Sequence, residues 1–64
     1  MSKPLKYTLK GHKYCAVDPC GITYIEEQDK GTLIEYRAGD KVEVIEVLES
    51  FEKVFADWTA YELW

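Results

Sequence analysis

Short apolar runs alternate with polar positions along most of this chain, with the two-residue period of half-buried strands. Lys6-Tyr7-Thr8-Leu9-Lys10 and Lys13-Tyr14-Cys15-Ala16-Val17 flank Gly11-His12. A glycine at the first central position suits a two-residue hairpin turn. That turn pairs Lys10 with Lys13, sets Leu9 opposite Tyr14 and Tyr7 opposite Ala16, and makes one face of the hairpin apolar. Residues 1–5 read as a frayed end, where Pro4 withholds a ladder hydrogen bond. Asp18-Pro19-Cys20-Gly21 is a second turn, because Asp bonds its own backbone, Pro sets φ and Gly accepts a positive φ. Ile22-Thr23-Tyr24-Ile25-Glu26 and Thr32-Leu33-Ile34-Glu35-Tyr36 then read as strands around the loop Gln28-Asp29-Lys30-Gly31.

Gly39-Asp40 opens the stretch around which the rest is organised. Val42 and Val44 alternate with Lys41 and Glu43, but the phase slips at Val44-Ile45 and resumes with Ile45 and Val47 around Glu46. A one-residue slip is what a β-bulge produces, so the pattern predicts a kinked strand to about Leu48, with valines inward and glutamates outward. A turn at Glu49-Ser50, a further strand over Glu52–Ala56, a short helical turn and a closing strand complete that reading. The same stretch also fits a helix, since Val44, Val47, Leu48, Phe51, Phe55 and Trp58 recur every three or four residues and Asp40 with Glu43 makes a capping box. Four β-branched residues between Val42 and Val47 favour the strand. The predicted fold is therefore all-β, a small antiparallel barrel of five to six short strands. The alternative is α+β, an antiparallel sheet with one C-terminal amphipathic helix.

The chain resembles an SH3-like barrel. Lys13-Tyr14-Cys15-Ala16-Val17-Asp18 stands where such domains begin their first strand. The run from Leu33 to Ile45, with its Gly39-Asp40-x-Val42-x-Val44 core, is similar to the segment that ends their long loop and enters the next strand. The resemblance spans residues 13–64 and implies a fold only. The tyrosines after the first strand and the tryptophan pair by which SH3 domains hold proline-rich peptides are absent, and only Trp58 and Tyr61 could stand in for them.

Sixty-four residues make one domain, 1–64, and burying a core in so short a chain leans on its nine aromatic residues. Net charge is −4, unevenly placed: four lysines face one aspartate through Ile25, and eleven acids face four bases afterwards. That balance argues against direct nucleic-acid binding, which needs a basic footprint. No apolar run is long enough to span a membrane and no signal-peptide pattern opens the chain, so no membrane partner and a cytoplasmic location are expected.

Candidate chemistry is sparse. His12, Cys15 and Cys20 are three potential zinc ligands where a structural site wants four, so neither metal nor cofactor is expected. Cys15 and Cys20 read as free thiols, with a small-loop disulfide as the alternative. No nucleophile has an evident base and no phosphate-binding loop is present, so the chain reads as non-enzymatic. The sequence points instead to a small acidic module that binds a protein partner, with Trp58, Tyr61 and Trp64 as anchors framed by Glu43, Glu46 and Glu49. The alternative is an inhibitor of a DNA- or RNA-handling enzyme, of the kind encoded by phage or mobile elements, whose acidic series copies the phosphates of nucleic acid.

Overall fold

The computed structural model describes the backbone of residues 3–62 and the side chains of residues 3–60. Five strands precede one helix: β1 (Leu5–Thr8), β2 (Tyr14–Val17), β3 (Ile22–Gln28), β4 (Gly31–Ala38), β5 (Lys41–Val47) and α1 (Phe51–Glu62), with a single 3-10 turn over Pro19–Gly21. β1 and β2 form a hairpin, and β3, β4 and β5 form an antiparallel meander. The strands make two sheets rather than a closed barrel, and the second half of the chain ends in a helix. The SH3-like barrel is thereby corrected in favour of the α+β arrangement.

The first hairpin exists, but its register is one residue away from the expected one. Leu5 pairs with Val17 and Tyr7 with Cys15. The loop is closed by Leu9 N–H donating to the Lys13 carbonyl at 2.7 Å and His12 N–H to that of Leu9 at 2.8 Å, with His12 at φ 65°. The left-handed residue is thus His12, one of the non-glycine types that enter this region most readily. A one-residue slip exchanges the faces of a strand. Here it gathers Tyr7, Cys15 and Val17 toward the interior and leaves Tyr14 70% exposed, with the Lys6 ammonium 4.5 Å from its ring centre. Packing decides the matter, because Val17 covers more core than Ala16 can.

The turn after Val17 forms as Asp18 and Pro19 demand, although Gly21 does not take the positive φ expected of it. The Asp18 carboxylate accepts from Cys20 N–H at 2.9 Å, its carbonyl accepts from Gly21 N–H at the same distance, and Pro19 is buried. β3 carries a bulge between Ile22 and Tyr24. β4 and β5 keep an unbroken register from Ala38 opposite Lys41 to Thr32 opposite Val47. The kink expected at Val44-Ile45 is therefore absent. The slip in hydrophobic phase arises because β5 is apolar on both faces: Ile45 and Val47 turn inward, Val42 and Val44 outward.

α1 replaces the predicted strand over Glu52–Ala56 and the closing strand after it. Ser50 starts it, its hydroxyl accepting from Lys53 N–H at 3.2 Å and its carbonyl from Val54 N–H at 3.0 Å. The cap is thus Ser50 rather than Asp40. The four β-branched residues that favour a strand over 42–47 lie before Leu48, while α1 has only Val54 and Thr59 of that type and Glu52, Lys53 and Ala56 are good helix formers. Lys53 reaches Asp57 one turn on, at 2.9 Å. The helix packs on β3, β4 and the 3-10 turn.

The core gathers Tyr7, Val17, Ile22, Ile34, Val47 and Val54, one residue from each strand and one from the helix. The two sheets join where Leu9 bridges Val47 and Leu48 N–H donates to the Thr8 carbonyl at 2.8 Å. Among the described residues no helix is long and apolar enough to cross a membrane.

Candidate functional site: the uncovered face of the meander

In an antiparallel sheet, residues directly opposite one another share a face. The register of β3, β4 and β5 therefore sorts their side chains into two layers. One layer carries Ile25, Ile34 and Ile45 in a single row, with Ile22 and Tyr36 beside it, and packs into the core. On the other layer Tyr24, Glu35 and Val44 form one row across three strands, Glu26, Leu33 and Glu46 form the next, and Arg37 pairs with Val42 at the end.

Among the described residues no element covers that second layer. Tyr24 is 47% exposed, Val42 56% and Val44 53%, while Leu33 between them is half-buried. Single exposed apolar residues are ordinary on a protein surface, but several gathered on one sheet face are informative. Carboxylates interrupt it. Glu26 accepts from the Tyr24 hydroxyl and from the Gln28 side-chain amide, both at 2.7 Å, which lifts the Tyr24 phenol above its ordinary range. The Thr23 hydroxyl, at the bulge, lies 3.4 Å from a Glu35 carboxylate oxygen and 3.3 Å from the Glu35 carbonyl. Glu46 is paired with Lys10 at 3.1 Å, whereas Glu26, Glu35 and Arg37 have no ion-pair partner among the described residues. An open polar cleft of about 430 Å³ borders this face, lined by Lys10, Glu26, Glu27, Gln28, Asp29 and Lys30.

Among the described residues, those singled out from sequence, Trp58, Glu43, Glu46 and Glu49, do not assemble into one patch. Trp58 is half-buried and packs against the core. The Tyr61 side chain and all of Trp64 lie outside the described residues. Glu43 is on the helix side of β5, where it accepts from the Tyr36 hydroxyl at 3.2 Å. Burial, and then this bond, push the Tyr36 phenol up. Glu46 is on the opposite face. Glu49 is committed to the fold: its carboxylate accepts from Thr8 N–H at 2.9 and 3.2 Å and from the Thr8 hydroxyl at 3.0 Å. Glu43, Glu46 and Glu49 thus point three ways, and the acidic row expected to copy nucleic-acid phosphates is not formed by them.

Cys15 is a half-buried free thiol whose pKa burial raises, and Cys20 is a free, exposed one. Among the described residues no group of three His, Cys, Asp or Glu side chains is arranged to hold a metal ion. Sequence reasoning missed Val42 and Val44 because it turned the valines of this stretch inward, and it did not single out Tyr24. The signal was present in β5, where four apolar residues in seven positions alternate in two different phases and no single face can bury them all. No protein-family model, curated protein or solved structure matches the chain.

Proposed function

We propose that the chain is a non-enzymatic, acidic protein-interaction module whose contact surface is the uncovered face of the β3–β5 meander. The row Tyr24–Glu35–Val44 carries this reading: two apolar residues about half exposed flank a carboxylate with no ion-pair partner among the described residues, on a three-stranded sheet. Apolar anchors beside unpaired charge are what a transient protein interface needs, the first for affinity and the second for partner choice. Trp58 and Glu49, engaged in packing and backbone bonding, are supports rather than contacts. A photocrosslinker placed at Val42 in the native cell tests the reading. A discrete protein adduct that disappears with Val44→Lys is the expected result. An adduct pattern indifferent to Val44→Lys, or none at all, would remove the module from this class.

A further inference from the structure

We infer that the occupant of this face is a cationic amphipathic helix, of about four turns, supplied by the partner protein. The inference rests on the docking role just proposed and adds the chemistry of the partner.

The first argument is charge. Glu26 and Glu35 stand among Tyr24, Leu33 and Val44 with no cation of their own, so an occupant with Lys or Arg between its apolar residues satisfies both at once. A second copy of this chain serves less well, because among the described residues each such face brings one unpaired cation, Arg37, against two unpaired carboxylates, Glu26 and Glu35. The second argument is shape. Three strands span about 14 Å with their side chains, and seven residues of strand run about 23 Å. A helix about 10–12 Å across and 15 residues long, about 22 Å, covers that area. The opposite face already accepts one helix, α1, of 12 residues. A sheet with a helix on one face and apolar residues on the other is completed most simply by a second helical layer. The contact is small, on the order of 300 Å² in footprint, which places it among transient interfaces.

The probe is a synthetic 15-residue peptide with leucines at helical i, i+3, i+4, i+7 spacing and lysines between them, titrated into the isotope-labelled full chain. The controls are a scrambled peptide of identical composition and one with glutamate in place of lysine. The expected result is saturable shifts at Tyr24, Leu33, Glu35, Val42 and Val44, a gain of peptide helicity on mixing, and at least ten-fold weaker binding to Val44→Lys. Glu35→Gln should weaken it about three-fold and flatten its salt dependence. Shifts confined to backbone amides at the open edges of β3 or β5 would mean strand addition and would overturn the helical occupant. Equal binding of the scrambled peptide, or no binding, would overturn it as well. The crosslinking experiment at Val42 is independent of these outcomes, so the docking role can survive the loss of the helix.

Discussion

The Tyr7 hydroxyl donates to Asp57 at 3.0 Å, joining the first strand to the last helix across fifty positions of sequence. Tyr7 is 1% exposed, and Asp57 also takes the Lys53 ammonium at 2.9 Å. Removing the hydroxyl by Tyr7→Phe keeps the packing and leaves Asp57 a partner, so the loss should be only about 1–2 kcal/mol. In a domain of this size each kilocalorie moves the melting midpoint by roughly 4–8 °C. A urea titration with an unchanged slope and a lowered midpoint is the expected observation.

The same bond sets a limit at high pH. Burial, then the hydrogen bond to Asp57, raise the Tyr7 phenol well above its ordinary value of 10.0. Above about pH 10 the unfolded chain releases this proton while the folded chain keeps it, so the unfolded state binds fewer protons and stability falls as pH rises. The contribution is whole below pH 10 and is lost progressively above it. Tyr24 and Tyr36 are shifted the same way at more exposed sites, so Tyr7→Phe should shrink this alkaline loss without abolishing it. Denaturant midpoints measured between pH 8 and 11 on both proteins check the difference.

Glu49 holds the hairpin to the end of β5 through Thr8, and its own carbonyl accepts from the buried Thr32 hydroxyl at 2.8 Å. Glu49→Ala leaves the Thr8 N–H without its acceptor and should cost about 1–3 kcal/mol, whereas Glu49→Gln retains an acceptor and should cost less. Faster hydrogen exchange at the Thr8 amide in the alanine variant is the accompanying local signature.

Two glycines should respond in opposite ways. Gly31 has φ 128°, and a Cβ there would overlap the Val47 carbonyl oxygen, which is backbone and cannot step aside. Gly31→Ala should therefore destabilise by several kilocalories or prevent folding, on the order of the larger effects known for single substitutions. Around Gly11 a Cβ meets nothing within 4 Å. Gly11→Ala should hold or raise stability by up to about 1 kcal/mol, because it narrows the unfolded ensemble. Thermal melts of the pair give the comparison.

Trp58→Ala and Val44→Lys separate support from contact. Trp58 packs on the core, so its removal should cost at least about 2 kcal/mol. Val44 is more than half exposed, and lysine there should shift stability by no more than about 0.5 kcal/mol. Paired melting curves decide it, and the reverse order would return Trp58 to the contact surface.

Local chemistry made much of this fold legible in advance. The Asp18-Pro19 turn follows from the aspartate's bond to its own backbone and the fixed φ of proline, and the Gly31 and Gly39 turns from glycine's tolerance of positive φ, properties each residue carries alone. The four β-branched residues of β5 likewise made it a strand. The candidate site was less legible, because exposure of Tyr24, Val42 and Val44 depends on which sheet face the helix takes.

The sequence alone determined where the chain turns, that residues 41–47 extend, and that acids crowd its second half. Tertiary structure decided the rest. The hairpin register follows from Val17 filling the core better than Ala16, and residues 51–62 coil because Ser50 caps them and Val54 has a sheet to bury against. Which face of the meander stays open depends on where that helix lands. Each of these is a competition between alternatives that local propensity leaves close in energy, and burial shared among residues distant in sequence breaks the tie.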